Sequence, residues 1–372
     1  MDESDRIYLE RALELAEKGR GRTHPNPVVG AVVVRDGLII GEGHHAGAGL
    51  DHAEIAALRQ VEDARGATIY VTLEPCCSYG RTPPCTKSLI AAKVARVVVG
   101  AIDPFPQVNG RGMAELRSAG IQVDLADGDV ALRCRRQNNG FRKVAVTGLP
   151  FVTYKYAMTL DGRVACDSGD SRWVSTAESR AYVHQLRASA DAVLVGAGTL
   201  RTDDPLLTAR EVHCRRQPLR IVVDTGLSIN PKAALIQSRE EGPVLVVCSS
   251  RVSAARRVEV ESWGVETIVV DPKDGSIPWV SPMGIAELLA SRDVQCLLME
   301  GGPTLAGSWW SEGLIDEVVA FVSPRIISGT NLRSPFVGPG GLEMACAAPL
   351  REVTMRQSGS DYCISGYVGE AF

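Results

Sequence analysis

Short apolar runs alternate with segments of helical periodicity along the first part of the chain. HAEIAALRQVE has apolar residues at helical spacing, and GATIYVTLE and VARVVVGAI are apolar runs of strand length. In PVVGAVVVRDGLIIGEG, Asp36-Gly37 separates two apolar runs, which predicts a β-hairpin. Strands that alternate with helices predict a layered α/β domain.

The same pattern starts again after the stretch Thr147–Pro150. The later apolar runs DAVLVGAG, LRIVVDTG, GPVLVVCSS and VQCLLMEGG are each followed by a loop or helix signal. A chain of 372 residues is long enough for roughly two domains. We therefore predict two α/β domains, residues 1–147 and residues 150–372.

Charge and hydropathy argue against nucleic-acid and membrane proteins. The formal net charge is −4, which gives no overall basic footprint for nucleic acid or for an anionic membrane. The first residues, MDESDRIYLE, are acidic and have no apolar signal-peptide core, and no apolar run approaches the length of a membrane span. We expect a cytoplasmic protein, whose cysteine thiols stay reduced.

Three cysteines, Cys76, Cys77 and Cys85, are crowded into the stretch VTLEPCCSYGRTPPC. In a reducing compartment such a cluster indicates a metal site or a reactive thiol rather than a disulfide. About twenty residues earlier, His52 and Glu54 stand at the start of a predicted helix. The zinc-deaminase signature is H-x-E followed by P-C-x-x-C. The second cysteine of this chain departs from that spacing, since Cys85 follows only after CSYGRTPP.

One histidine and two cysteines leave the fourth position of a tetrahedral zinc ion for water, as a catalytic zinc site requires. A carboxylate such as Glu54 beside that water has the chemistry of a proton shuttle. Two alternatives remain open on these residues. Cys77 is available as a fourth ligand of a purely structural zinc site, or the loop holds no metal at all.

Four motifs together resemble the deaminase half of the bifunctional riboflavin-biosynthesis deaminase/reductase family, namely THPNPVVGAVVV, HAE, TLEPCCSYGRTPPC and DPFPQVNGRG. In that family a longer loop between the cysteines is normal. The resemblance implies that His52, Cys76 and Cys85 bind zinc and that Glu54 is catalytic. It also implies substrate contacts in the deaminase half at Asn26, His45 and Arg81.

Two positions depart from the family pattern. Ser78 stands where the family usually has a histidine that contacts the substrate, and DPFP replaces the commoner DPNP. A serine donates one hydrogen bond but carries no charge. Loss of activity in one half is therefore a further hypothesis for this chain.

In the second half, Glu300-Gly301-Gly302 follows an apolar run and precedes a helix that begins with Pro303. Backbone N–H groups at such a helix start attract phosphate. The stretch is not the G-x-G-x-x-G fingerprint, so a standard dinucleotide-binding fold is not indicated. YKYAMTLDGRVACDSGDSRWVS, LVGAGTLRTDDPLLTAR and EGGPTLAG resemble the reductase half of the same family, whose fold is similar to dihydrofolate reductase.

The resemblance covers nearly the whole chain and implies an N-terminal cytidine-deaminase-like three-layer α/β domain and a C-terminal dihydrofolate-reductase-like domain. It places NADPH contacts at Met158, Trp173, Thr199, Asp203, Thr225, Gly302, Pro303, Thr304, Leu305, Ala306, Gly307 and Ser308. It places contacts to the phosphorylated sugar substrate at Ser171, Arg187, Leu206, Arg210 and Glu300. Lys155 is an additional candidate, because a cation near the reacting sugar carbon assists hydride delivery.

The activity implied by the resemblance has two steps. Zinc-dependent hydrolytic deamination of 2,5-diamino-6-(5-phosphoribosylamino)pyrimidin-4(3H)-one is followed by NADPH-dependent reduction of the ribosyl chain to ribityl. The expected partner is thus a small phosphorylated pyrimidine, and we expect a homo-oligomer. An RNA-editing or nucleoside deaminase is the main alternative enzyme, although the acidic balance weighs against it.

Overall fold

The chain divides into two units at Gly148, a glycine in the left-handed conformation (φ 73°) that ends a helix and donates its N–H to Val144 O. One unit is Met1–Gly148 with Ala371–Phe372, and the other is Leu149–Glu370. The structure is a computed structural model that describes residues 1–79, 83–272, 280–329, 333–341 and 343–372. Arg81, a predicted substrate contact, lies outside the described residues.

The N-terminal unit alternates helices and strands. Its helices are α1 (Glu3–Glu17), α2 (Ala53–Leu58), α3 (Cys85–Ala91), α4 (Arg111–Ser118), α5 (Gly128–Arg136) and α6 (Asn139–Thr147). Its strands are β1 (Gly30–Arg35), β2 (Leu38–His44), β3 (Thr68–Val71), β4 (Arg96–Val99) and β5 (Gln122–Leu125).

The strands of this unit form one sheet in the order β2-β1-β3-β4-β5. β1 is antiparallel to β2 and β3, whereas β3, β4 and β5 are parallel. Alternate strand residues point to opposite faces of the sheet, and helices cover both faces. Val33 packs in a core with residues of α2, α3 and α4, and its neighbour Val32 packs in another core with residues of α1 and α5. The predicted three-layer arrangement is therefore confirmed.

The predicted hairpin at Asp36-Gly37 is also confirmed. These two residues link β1 to β2, and both have positive φ angles, 51° and 74°. Two central residues of positive φ match the right-handed twist of the strands they join. Glycine reaches this conformation at no steric cost, and aspartate tolerates it better than most residues.

The C-terminal unit has the same alternation and ends with antiparallel strands. Its strands are β6 (Phe151–Thr159), β7 (Ala192–Gly196), β8 (Leu219–Val223), β9 (Val244–Cys248), β10 (Glu266–Val269), β11 (Cys296–Met299), β12 (Glu317–Ser323), β13 (Arg351–Ser358) and β14 (Asp361–Tyr367). Its α-helices are α7 (Ala177–Ser189), α8 (Ala197–Asp203), α9 (Ala234–Gln237), α10 (Ala254–Glu261), α11 (Pro282–Ala290) and α12 (Pro303–Ser311). Short 3₁₀ helices span Arg239–Glu241 and Met344–Cys346.

The sheet of this unit has the order β10-β9-β8-β7-β11-β6-β12-β14-β13. The first seven strands of this order, β10 through β12, run parallel to one another. β14 pairs antiparallel with β12, and β13 pairs antiparallel with β14. Leu194 packs in a core with residues of α11 and α12, and its neighbour Val195 packs in another with residues of α8, α9 and α10. The α/β class predicted for both halves is confirmed. No helix in the described part of the chain is long and apolar enough to span a membrane.

A buried ion pair ties α1 to the sheet of the N-terminal unit. The Asp5 carboxylate accepts hydrogen bonds from Arg96 Nη1 (2.6 Å) and Nη2 (2.8 Å) and from Tyr70 Oη (2.9 Å). The Asp5 side chain is 3% exposed and that of Arg96 is 24% exposed. The hydrogen bonds from Arg96 lower the pKa of Asp5 below its ordinary value.

We predict that Asp5→Asn destabilises the N-terminal unit by about 2 kcal/mol at pH 7, because the substitution leaves a partly buried guanidinium with one partner fewer. A carboxyl group whose pKa is lower in the folded chain stabilises the fold above its unfolded pKa, roughly 3.9. This contribution disappears as the pH falls through the folded pKa. The difference between variant and native protein should therefore shrink in acid.

Amide hydrogen exchange of α1 and β4, corrected for intrinsic rates, measures this difference at each pH. Tryptophan fluorescence is unsuitable, since all five tryptophans lie beyond residue 148. Glu14→Gln is the matched control, because Glu14 lies on the same helix in an exposed pair with Arg11. A difference between Asp5→Asn and native protein that is equally large at pH 7 and pH 3 contradicts the assigned linkage.

Candidate active sites in the two units

The structure brings His52, Cys76 and Cys85 together. His52 is the N-cap of α2, Cys76 lies in the loop after β3, and Cys85 is the first residue of α3. His52 Nδ1 lies 3.5 Å from Cys76 Sγ and 3.2 Å from Cys85 Sγ, and the three donor atoms all lie within 4.8 Å of one another. Three side chains distant in sequence thus converge on one point.

The chemistry of these donors fits zinc. Two thiolates and one imidazole are ligands that zinc prefers in proteins. The hydrogen bond from Cys85, together with that from His52, lowers the pKa of Cys76 to about 4. The same hydrogen bond and burial raise the pKa of Cys85. One sulfur of the pair is therefore ionised at neutral pH, and a divalent cation would favour ionisation of the other.

Glu54 lies beside this cluster on the first turn of α2 and is only 3% exposed. Burial raises the pKa of Glu54. A raised pKa makes the Glu54 carboxylate a stronger base than an ordinary one, which suits a group that takes up a proton and gives it back. The predicted pairing of a metal cluster with a neighbouring carboxyl group therefore exists in the structure as geometry.

Asn26 and His45 reach the same place. Asn26 Nδ2 lies 3.1 Å from His45 Nε2, and His45 Nδ1 lies 2.9 Å from the Asp51 carbonyl oxygen. The His45 ring meets the His52 ring edge-on, with centroids 5.3 Å apart. Both predicted substrate contacts thus border the metal cluster.

Two other residues of the cysteine loop bear on the alternatives. Cys77 is not part of the metal-competent group found among the described residues. A structural zinc site with Cys77 as fourth ligand therefore has no support in this geometry. Ser78, in the position where the family usually has histidine, is exposed.

The sequence analysis missed Glu74, which is 4% exposed. Its carboxylate accepts hydrogen bonds from four backbone N–H groups, those of Asp103 (3.2 Å), Gly110 (2.8 Å), Gly112 (2.9 Å) and Met113 (3.3 Å). It therefore caps the N-terminus of α4, whose own N-cap Gly110 offers no side chain. The available signal was an acidic residue directly after an apolar strand.

In the C-terminal unit the predicted residues follow the carboxyl ends of neighbouring parallel strands. Met158 lies at the end of β6, Thr199 follows β7, Thr225 follows β8 and Glu300 follows β11. Carboxyl ends of adjacent parallel strands share one edge of the sheet, where ligands of open α/β sheets bind. The topology thus gathers these residues along one edge.

Lys155, Arg187 and Glu300 form a buried charged cluster at this edge. The Glu300 carboxylate accepts hydrogen bonds from Arg187 Nε (2.6 Å) and Nη2 (3.0 Å), and Lys155 Nζ lies 3.9 Å from it. Burial lowers the pKa of Lys155. Burial would raise the pKa of Glu300, but Arg187 and Lys155 outweigh burial and hold that pKa below its ordinary value. Glu300 is therefore a carboxylate at neutral pH.

Several predicted cofactor and substrate contacts also lie next to one another. Ser171 Oγ donates to Asp203 Oδ1 at 3.1 Å, and a Cβ built on Gly302 would lie 3.4 Å from Thr199 Oγ1. Trp173 is 60% exposed, with the Arg180 guanidinium 4.5 Å from its ring centroid. Ser171, Thr199 and Asp203 are half-buried, whereas Trp173 is open to solvent.

The stretch Gly302–Ser308 is not uniform. Gly302, Pro303 and Thr304 form the start of α12, where the backbone N–H groups of Gly302 and Thr304 are available to a phosphate; Pro303 has none. Ala306 is fully buried in the core. Gly307 packs on the backbone of Val337, since an added Cβ would lie 1.8 Å from the Val337 carbonyl oxygen. Packing alone therefore accounts for a small residue at these two positions, and their cofactor contacts stay predictions.

The two predicted residues after α8 differ in their surroundings. Arg210 is exposed, and its Nη1 donates to Thr208 Oγ1 at 2.8 Å. Leu206 is held by its carbonyl oxygen, which accepts a hydrogen bond from Arg220 Nη1 at 3.2 Å. Arg220 is fully buried and was missed by the sequence analysis; an arginine inside the apolar run LRIVVD was the signal.

Two family models match the chain. The RibD C-terminal domain matches residues 150–364, and the cytidine and deoxycytidylate deaminase zinc-binding region matches residues 2–101. The zinc-binding model covers Asn26, His45, His52, Cys76 and Cys85. The metal cluster thus lies inside a region similar to zinc deaminases.

Curated relatives and solved structures cover most of the chain. The riboflavin biosynthesis protein RibD of Escherichia coli is 39% identical over 97% of this chain and 98% of its own length, and that of Aquifex aeolicus is 41% identical over 87% and 88%. Acinetobacter baumannii RibD superposes with a TM-score of 0.83 at 36% identity, covering 98% of both chains. A diaminohydroxyphosphoribosylaminopyrimidine deaminase/5-amino-6-(5-phosphoribosylamino)uracil reductase from Thermotoga maritima superposes with a TM-score of 0.82 at 34% identity, again over 98% of both. The chain therefore belongs to the RibD family of riboflavin biosynthesis proteins.

Proposed function

We propose that the chain catalyses two consecutive steps of riboflavin biosynthesis. The unit Met1–Gly148 removes an amino group from 2,5-diamino-6-(5-phosphoribosylamino)pyrimidin-4(3H)-one, and the unit Leu149–Glu370 reduces the ribosyl chain of the product to ribityl with NADPH. The observation that carries the proposal is the convergence of His52, Cys76 and Cys85 beside the buried Glu54. The names of the relatives support the pairing with a reductase.

In the deaminase unit, His52, Cys76 and Cys85 would hold the zinc ion, which supplies an activated water nucleophile when bound. Hydrolysis exchanges the C–NH₂ group of the ring for C=O and releases ammonia. Glu54 takes one proton from the attacking water and gives it to the ring nitrogen. It then takes the second proton from the hydroxyl group formed by the attack and gives it to the leaving amine. Asn26 and His45 orient the pyrimidine by hydrogen bonds, and the predicted contact at Arg81 completes this set.

In the reductase unit, reduction adds a hydride, supplied by NADPH when bound, and one proton to the sugar. Glu300 accepts hydrogen bonds from the sugar hydroxyls, and the Lys155 ammonium, fixed 3.9 Å from it, stabilises negative charge that develops on the sugar oxygen. Arg187 already donates to both oxygens of Glu300 and to Thr208 O. We therefore assign the substrate phosphate to the exposed Arg210.

The start of α12 and the residues around it receive the cofactor. Gly302 and Thr304 present backbone N–H groups to a cofactor phosphate, whereas Pro303 has no N–H and sets the backbone for the helix start. Other predicted cofactor contacts are Met158, Trp173, Thr199, Asp203, Thr225, Leu305 and Ser308. Met158 lies at the end of β6, and Thr199 and Thr225 follow β7 and β8, which supports a cofactor at this edge of the sheet. Ser171 and Leu206 stay predicted substrate contacts.

The site residues also bear on location and partners. The zinc site needs the thiols of Cys76 and Cys85 in reduced form, which suits a reducing cytoplasm. A small phosphorylated pyrimidine remains the proposed partner, with no nucleic acid or membrane.

We predict that Glu54→Gln lowers the rate of ammonia release about 10²- to 10⁴-fold, since glutamine cannot shuttle a proton. Zinc content should stay that of the native protein, because Glu54 is not among the ligands. A coupled ammonia assay and metal analysis on the same sample measure both quantities. The exposed Glu62→Gln is the control. Undiminished ammonia release by Glu54→Gln would reject the proton shuttle.

We predict that Lys155→Met lowers the turnover of NADPH oxidation about a hundredfold, because the substitution removes a preorganised charge from the reacting centre. Stability should change little, since Glu300 keeps Arg187 and methionine suits the buried position. Stopped-flow absorbance with the deaminated pyrimidine as substrate measures the rate, and Lys232→Met serves as an exposed control. Native turnover in Lys155→Met shows that this lysine has no role in reduction.

We propose a homo-oligomer that pairs through β13. This strand lies at the edge of the larger sheet, and its Val353 and Met355 side chains are 55% and 69% exposed. An edge strand presents unpaired backbone groups, and β13 adds two exposed apolar side chains that a second copy would cover. Light scattering should show a dimer or larger assembly that Met355→Lys dissociates and that Val258→Lys, on the exposed face of α10, leaves intact. A native protein that is monomeric at micromolar concentration contradicts this assignment.

A further inference from the structure

His184 lies on α7 and faces the loop that carries Arg210. Its Nδ1 is 3.2 Å from the Thr208 carbonyl oxygen and 3.2 Å from the Arg210 backbone nitrogen. One ring nitrogen cannot donate to the first and accept from the second at the same time. The protonation state of Nδ1 therefore selects which contact exists.

The surroundings favour the unprotonated nitrogen. The Thr208 carbonyl oxygen already accepts a hydrogen bond from Arg187 Nη1 at 3.2 Å, whereas the Arg210 N–H points at His184. Arg187 on the same helix and Arg210 on the loop oppose a positive charge on the ring, and Glu300 after β11 favours one. Burial and the two arginines lower the pKa of His184.

Hydrogen bonds also hold Thr208 and Ala209, the two residues before Arg210. Thr208 is 1% exposed, and its hydroxyl accepts a hydrogen bond from Arg210 Nη1 at 2.8 Å. Ala209 exchanges two hydrogen bonds with the Gln217 side chain, both 2.8 Å long. With Thr208 and Ala209 fixed in this way, the bond from the Arg210 N–H to His184 sets the direction in which the Arg210 side chain leaves the loop.

We propose that His184 is a positioning residue of the reductase site, whose unprotonated Nδ1 holds the Arg210 backbone so that the guanidinium meets the substrate phosphate. This inference rests on the proposed assignment of the phosphate to Arg210. Protonation of the ring converts Nδ1 from acceptor to donor and breaks the bond to Arg210. Affinity for the phosphorylated substrate then falls, while the chemical step at Lys155 and Glu300 is unaffected.

Two substitutions at His184 separate this role from a structural one. Asparagine places a carbonyl oxygen near the position of Nδ1 and accepts a hydrogen bond at every pH, whereas alanine removes the acceptor. His184→Ala should raise the KM for the substrate about fivefold at all pH values, as expected for one lost hydrogen bond. His184→Asn should keep the native KM at neutral pH.

The pH profile supplies the decisive comparison. The KM of the native protein should rise in acid for two reasons. The substrate phosphate gains a proton, with a pKa of roughly 6, and the His184 ring gains a proton as well. His184→Asn shares only the first cause, so its KM should rise less. The turnover number and the KM for NADPH should be unchanged in both variants. Ammonia release by the same chain and the exposed Gln185→Ala variant serve as controls.

The outcomes are distinct. A native KM in His184→Ala, or the same acid dependence in His184→Asn as in native protein, overturns the role of His184. Arg210→Ala with a native KM overturns it too, while the reductase function stands. Absence of NADPH oxidation by the native protein rejects the proposed function itself.

Discussion

The buried carboxylate of Glu74 holds the N-terminal site together. It follows β3 directly, and it joins the loop of Cys76 to the start of α4 and to Asp103 through four backbone N–H groups. Gly112 allows this approach, since an added Cβ would lie 2.1 Å from the Pro75 carbonyl oxygen. A metal site whose ligands come from three separate elements needs such fixed support, because a displacement of one ligand loosens all three.

The C-terminal unit uses a buried carboxylate in the corresponding place for a different purpose. Glu300 follows the central strand β11 as Glu74 follows β3, but its partners are two cations rather than backbone N–H groups. Backbone partners fix a position and leave no donor for a ligand. Side-chain cations also balance the charge, and they leave Glu300 and Lys155 able to contact a sugar. The first carboxylate is therefore architectural, and the second belongs to the proposed reaction centre.

The fold class was predictable from sequence because apolar periodicity reveals strands and helices. The metal cluster was predictable because His52, Glu54 and Cys76 follow the zinc-deaminase signature, whereas Cys85 departs from its spacing and was assigned through the family resemblance. Glu74 was not predictable in this way, since its partners lie 29 to 39 residues later. On α12 a signal existed but was overlooked: Ala306 and Trp309 are three residues apart and share the buried face. The family resemblance assigned all of Gly302–Ser308 to the cofactor, whereas helical periodicity separates the buried Ala306 from the residues that can reach a ligand.

The two arginines after β6 show how burial separates residues of the same type. Arg187 and Arg210 both have the planar donors that suit phosphate. Arg187 has a side chain that is 12% exposed, and a carboxylate already neutralises its charge, so a phosphate there would compete with Glu300. Arg210 is exposed. Its backbone N–H donates to His184 and its guanidinium donates to the uncharged Thr208 hydroxyl, so neither contact neutralises the guanidinium. The buried arginine is thus paired with Glu300, and the exposed one keeps its charge for the proposed substrate phosphate.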